Sequence, residues 1–410
     1  MQSPHITKNH TTARKIQQFA LACLYFATNG EKWEKRNNWL SYDESECDWL
    51  SDAPSGLVCS GGNEYNILSL NQVTLNGSLP EEFWLLSSLI SIAFYDHKDL
   101  RGHIPSRIAK MPALESLALI DLGLDGSLPK QIGSIKLKSI HLGGNALTST
   151  LPQELGDIES LRYLMLNDNF LSGPLPAQLW TLTNLEELVL HGNNLTGTVS
   201  SELGNLTNLK GLILQSNAFS GALPSLSTLT DLEYAFLGSN HFSGTLPSHP
   251  LSSWGSLLLL DMGNNDFSGP IPSEVGKLYS LEVIDMFNNS FSGSVPSELG
   301  LLSNAQKVML EMNSLEGSMP SELGLLTNLQ RLWLHDNDLT GAVPVELCTL
   351  AKERSLDLSI DCAKVSCDCQ CNCEKSTPQQ EKVDGGVEPS KTEENNSIWD
   401  NFVNFFSDLF

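Results

Sequence analysis

The chain has 410 residues, with 48 acidic against 24 basic side chains, a formal net charge of −24, and 40% hydrophobic residues. That balance supplies a sizeable core and excludes a wholly disordered chain; the acidic excess excludes phosphate backbones and anionic membranes as default partners. The longest apolar runs, such as 19–27, fall short of the roughly 18 residues a membrane span needs, and no basic stretch followed by an apolar segment and cleavage site opens the chain.

Residues 1–64 read as an N-terminal helical cap. Ile16, Phe19, Ala20, Cys23 and Ala27 fall on one helical face, and Asn29-Gly30 is a stop signal. Trp33, Trp39 and Trp49 follow, large aromatics expected to cover the start of the core rather than to bind a ligand.

From 65 to 347 the sequence repeats. An aliphatic-Pro step recurs at Pro80, Pro105, Pro129, Pro152 and Pro176, has Ser200 in place of proline, and continues through Pro224, Pro247, Pro272, Pro296, Pro320 and Pro344. The mean spacing is 24 residues, which gives about twelve units and an extra strand near 356–358. The unit at 161–184 reads LRYLMLNDNFLSGPLPAQLWTLTN. Its Leu164 and Leu166 alternate with outward residues, the period of a strand. The asparagine that follows, at 145, 169, 193, 217, 240, 265, 289, 313 and 337, carries two donors and an acceptor that can serve turn backbone in its own and neighbouring coils. Phe219, Phe242, Phe267 and Phe291 are expected to stack as an aromatic spine. Gly permits close backbone packing, Pro suits a short extended outer segment, and Leu179 and Leu182 close the coil. Val73, Lys98 and Leu122 stand at or near the asparagine position in the first three units and break its regularity.

The stretches FSGALP (219–224), FSGPIP (267–272), FSGSVP (291–296) and LTGAVP (339–344) resemble the plant-type leucine-rich repeat family over about 65–361. The resemblance implies a right-handed α/β-type solenoid with a parallel sheet on its concave face. The segment EKWEKRNNWL…CDWL…GLVC is similar to the N-terminal cap of plant leucine-rich-repeat ectodomains, and this similarity implies a disulfide between Cys47 and Cys59. The same scaffold serves receptors, inhibitors and adhesion proteins.

Residues 348–373 form the last strand and a Cys-rich cap holding Cys348, Cys362, Cys367, Cys369, Cys371 and Cys373. Six cysteines allow fifteen pairings. Disulfides are favoured, with Cys348 placed to pair with Cys362 or a neighbour; a thiolate metal cluster is the alternative, disfavoured by the one-residue spacing. Cys23, the odd cysteine, is expected to be a buried free thiol. Residues 374–397 read as a flexible linker. In 398–410, Ile398, Phe402, Phe405, Phe406 and Leu409 share one helical face, suited to folding back on the solenoid, to a partner groove, or to a membrane interface.

Paired cysteines at both ends and N-x-S/T sequons at Asn9, Asn76, Asn194, Asn205, Asn288 and Asn395 favour an extracellular or cell-surface glycoprotein, with a cytoplasmic repeat protein as the alternative. Kinase loops, a P-loop, HExxH and GxSxG are absent from the sequence, so a non-enzymatic chain without a cofactor is expected. Function is therefore sought on the concave face. The row between the two leucines contains Met165, Phe236, Asp261, Asp285, Met309 and Trp333; the row just after contains His191, Phe287, Glu311 and His335. Large apolar side chains left exposed there mark a recognition patch. Asp261 and Asp285, side by side, call for a cationic ligand group or Ca²⁺. Gly238 and Gly263 are expected to leave a pocket floor between Phe236, Asp261, Asp285 and Phe287. The reading is a receptor-like ectodomain binding a peptide, protein or glycan in signalling or defence, with a possible co-receptor. A secreted inhibitor of an extracellular hydrolase and a structural or adhesion protein are the alternatives.

Overall fold

A computed structural model describes residues 12–33, 39–41, 56–60, 64–70, 73–247, 253–369 and 371–373. The chain divides into two units, 1–374 and 375–410. The second lies wholly outside the described residues, as do Trp49, Cys47, the Cys59 side chain, and with them the expected Cys47–Cys59 bridge.

The first unit is a leucine-rich-repeat solenoid. Its short strands, among them Tyr163–Met165, Glu187–Val189 and Gly211–Ile213, stack in parallel register into a fifteen-stranded sheet. An antiparallel pairing of Gly56–Ser60 with Glu64–Ser69 opens that sheet. The outer side is more regular than the short extended segment expected there. The FSG-type segments form a second, twelve-stranded sheet, for example Ala218–Ala222 beside His241–Gly244. Gly293, at φ 75°, lies within such a strand, Ser290–Ser294, in a conformation that β-carbons disfavour. Pro176, extended at φ −68°, then leads into a 3₁₀ turn at Ala177–Thr181 that buries Leu179 and Trp180.

Each of the nine asparagines acts as expected. The Asn265 amide donates to the carbonyls of Leu237 in the preceding coil (3.1 Å) and of Met262 (3.1 Å) and Gly263 (3.2 Å) in its own. Its oxygen accepts from Phe242 N–H at 2.9 Å. At the front of the ladder the equivalent place belongs to His97, not Lys98: its Nε2 lies 2.6 Å from the Leu70 carbonyl. At the back, Asp361 accepts from the N–H groups of Asp336 and Asn337, both at 3.1 Å. Beneath the ladder, Phe219, Phe242, Phe267 and Phe291 stack with centroids 6.1–6.2 Å apart.

The first helix, α1 (Thr12–Ala27), presents a different face to the core from the one expected. Ala20, Leu21, Leu24 and Tyr25 are buried, whereas Ile16 and Phe19 are exposed. The helix is apolar around most of its circumference, so side-chain periodicity alone does not select the face; the adjoining coil does. Asn29, left-handed at φ 55°, ends it, and Tyr25 packs with the buried Trp33 and Trp39. Cys23 is a free thiol, half-buried rather than buried.

At the other end the outer turn becomes a helix, α2 (Val345–Arg354). The cap is closed by Cys348–Cys369, Cys362–Cys373 and Cys367–Cys371. Cys348 thus reaches past Cys362. Sulfurs of Cys367, Cys369 and Cys371 lie within 4.8 Å of one another, close enough for a metal, but each is already bonded to another sulfur. No helix among the described residues is long and apolar enough to cross a membrane.

Candidate functional site

Strand alternation puts every second residue of the long sheet on its open face, and in-register stacking turns equivalent positions into rows. One row runs from Phe236 through Asp261, Asp285 and Met309 to Trp333. Phe287, Glu311 and His335 stand two residues after Asp285, Met309 and Trp333, in the adjoining row. Met165 and His191 share the face but lie toward the N-terminal side; Met165 continues in its row into Val189 and Ile213, and His191 stands in the adjoining row two residues after Val189. His191 Nε2 is 3.3 Å from Asp168.

The apolar members are not exposed, which corrects the sequence-based expectation. Met309 is buried, and Met165, Phe236, Phe287 and Trp333 are half-buried. Strands about 4.8 Å apart let large side chains lie against one another along the row. Nor is there an open floor at the two glycines. The Asp261 carboxylate covers Gly238, where a β-carbon would come within 2.6 Å of it, and the Phe287 ring covers Gly263. A shallow hollow lies elsewhere, between α1 and the outer turns, lined by Ile16, Gln17, Leu85, Arg107 and Lys110.

Trp333 is already engaged. Its indole N–H donates to Asp357 at 2.9 Å, and the Arg331 guanidinium, itself 3.3 Å from Asp357, stacks 4.4 Å from its ring centre. His335 Nδ1 sits 3.0 Å from the Ser359 hydroxyl. Rows read only between and after the leucines miss Arg331 and Asp357, which precede the first leucine.

The carboxylates are the chemically unusual part. Asp261 and Asp285 are directly paired across neighbouring strands. Each accepts one backbone N–H, from Gly263 at 2.9 Å and from Phe287 at 3.1 Å. Burial pushes the Asp261 carboxyl up to about 6. Burial, reinforced by the charges of Asp261 and Glu311, pushes Asp285 well above the usual carboxylate range. Glu311, 5% exposed, is pushed by burial up to about 7, and its Oε2 has no hydrogen-bond partner. Burial of acids next to one another outweighs the backbone N–H groups and, at Glu311, the charge of Arg331; it disfavours their charged forms and leaves acceptor capacity unused.

The same applies to a residue that the sequence rows did not include. Glu187, 4% exposed on the same face, is pushed by burial up to about 8, and its Oε2 also lacks a partner.

The repeat geometry defines the class of protein, and the comparisons agree. The Leucine Rich Repeat family matches residues 160–182, 184–206, 256–278, 280–302 and 328–350. A stretch of 111 residues, 27% of this chain and 8% of the relative, is 36% identical to the LRR receptor-like serine/threonine-protein kinase GSO2 of Arabidopsis thaliana. The plant peptide hormone receptor RGFR1, solved in complex with RGF2, matches with a TM-score of 0.69 and 33% identity over 73% of this chain and 47% of its own. The PEPR1-AtPEP1 structure matches with a TM-score of 0.70 and 27% identity over 88% of this chain and 52% of its own. This chain therefore spans about half of each of those solved chains, and its match to GSO2 spans less than a tenth of that kinase. It is a leucine-rich-repeat protein of the plant type, resembling the ectodomains of leucine-rich-repeat receptor kinases and receptor-like proteins.

Proposed function

We propose that this chain is a non-enzymatic recognition protein, extracellular or at the cell surface, that binds an extended peptide segment along the long sheet. A basic side chain of that segment is held at Asp261, Asp285 and Glu311, flanked by Phe236 and Phe287. The observation that carries the reading is the buried, unpartnered Oε2 of Glu311 beside two further raised carboxyls. An ammonium or guanidinium would supply the missing donor and favour the ionised acids. The similarity to RGFR1, a plant peptide hormone receptor solved in complex with RGF2, supports a peptide rather than a glycan. The three cap disulfides favour an oxidising compartment. Sequons at Asn76, Asn194, Asn205 and Asn288 are all exposed, as glycosylation requires.

Selection of a displayed random-peptide library on the purified protein tests this. Recovered peptides are expected to be enriched in Lys or Arg and to lose at least about tenfold in affinity on Asp285→Asn/Glu311→Gln protein. Recovered peptides without basic enrichment, or binding the double variant equally, would overturn the assignment.

A further inference from the structure

Glu187 stands apart from the acidic row. It pairs in register with Tyr163 on one side and Gly211 on the other, and Gly211 pairs in turn with Tyr234. The glycine is what admits the carboxyl: a β-carbon at 211 would occupy the place of Glu187 Oε2. Val189 and Ile213, both buried, form the adjoining row. The charged groups around it are Glu186, Lys210 and Glu233. The basic groups nearby are committed to Glu186: Arg162 Nε donates to it at 2.7 Å, and Lys210 lies 3.7 Å from it. Glu187 is thus left buried with one oxygen unpartnered; Lys210 is the one positive charge acting on it, opposed by the negative charges of Glu233 and Glu186.

A residue needed only for packing would not carry a carboxyl here, since a buried acceptor without a donor lowers stability. An incoming cation changes that by supplying the missing donor. Resting on the peptide-binding reading above, we propose that Glu187 is a second anchor, taking a second basic side chain of the same extended ligand. The spacing follows from the sheet. Four parallel strand steps separate the strand of Glu187 from that of Asp285. At about 4.8 Å per step this is roughly 19 Å, which an extended peptide covers in about six residues. The ligand is therefore a peptide with two basic residues about six positions apart, laid across the strands.

The test uses acetylated, amidated synthetic peptides of alternating Ser and Ala. One series carries a single lysine; the other carries two, separated by three to nine positions. Affinities are measured for wild-type, Glu187→Gln and Asp285→Asn protein, with thermal melts verifying that each is folded. Wild-type protein is expected to bind the two-lysine peptide of about six-residue spacing at least about tenfold more tightly than the single-lysine peptide, with that gain missing in Glu187→Gln. A gain that persists in Glu187→Gln, or no gain at any spacing, overturns the second anchor. If single-lysine binding is nevertheless present and lost in Asp285→Asn, only the second anchor falls. If no peptide binds wild-type protein, the cation-recognising surface itself falls with it.

Discussion

The interior turn ladder and the open sheet face treat buried polar atoms in opposite ways. In the ladder, each of the nine asparagines satisfies carbonyls of its own and the preceding coil and an N–H of the preceding coil, as Asn169 does with Leu166, Asn167, Leu142 and Leu147. On the face, Glu187 and Glu311 are as deeply buried and leave an oxygen unpartnered. Polar groups that hold a fold together are saturated, whereas unsaturated ones kept at a surface are available to something outside the chain. The contrast separates scaffold from candidate site more sharply than apolar exposure does, because the large apolar side chains of the face pack laterally.

Removing a ladder residue has the largest expected effect. Asn265→Ala deletes four hydrogen bonds and leaves the Leu237 and Met262 carbonyls and the Phe242 N–H inside the solenoid without this partner. A loss of about 3 kcal/mol is expected, read by chemical denaturation. An effect below about 1 kcal/mol would remove the ladder from the account of stability.

Most of that scaffold is legible in sequence, because a 24-residue period repeats the same few packing requirements. The nine asparagines and the four stacked phenylalanines are set by spacing alone. Three things are not. Val73, Lys98 and Leu122 break the ladder's pattern, and only the fold shows that His97 takes its second place. The buried face of α1 is chosen by the coil beneath it, and a stripe of Ile16, Phe19 and Cys23 fits the helical period without being the one that packs. The pairing of six clustered cysteines depends on backbone that brings Cys348 to Cys369 across 21 residues. Within the candidate site, the side-by-side aspartates follow from register. Burial of Met309, the clamp on Trp333 and the isolation of Glu187 depend on how neighbouring side chains lean, which spacing does not encode.

Neutralising a carboxyl on the face should act in the opposite direction to the ladder substitution, and by less. The acids at 187, 261 and 311 have folded-state values of about 8, 6 and 7, above their ordinary values near 4. The folded chain therefore holds protons that the unfolded chain releases between about pH 4 and pH 8. Stability from these groups is fully present below about pH 4 and is lost as pH rises through 6, 7 and 8. Denaturation at pH 5 and pH 8.5 is expected to show lower stability at the higher pH, with Glu311→Gln protein losing less between the two, by roughly 1–2 kcal/mol. An identical difference in both proteins would mean that Glu311 is already compensated. Cationic ligands need the ionised acids, so their affinity should rise over the same window in which the free protein weakens.

The smallest stability effect, and the most informative one for the site, belongs to Phe287. Trp333 is the poorer probe, because truncating it also frees Arg331 and Asp357 from the indole and disturbs the edge where Asn372 bonds Asp357 at 2.6 Å. The Phe287 ring is half-buried and lies over Gly263, close to the Asp285 carboxylate. Phe287→Ala removes apolar cover from the acids without cutting a side-chain hydrogen bond, since Phe287 bonds Asp285 through its backbone N–H. A stability loss of about 1 kcal/mol is expected from the half-buried ring. Opening the acids to water weakens each charge contact they make, so affinity for the selected basic peptides should fall by about tenfold, measured by calorimetry. Unchanged affinity with unchanged folding would place the binding surface away from Phe287 and toward the stretch around Met165, Val189 and Ile213.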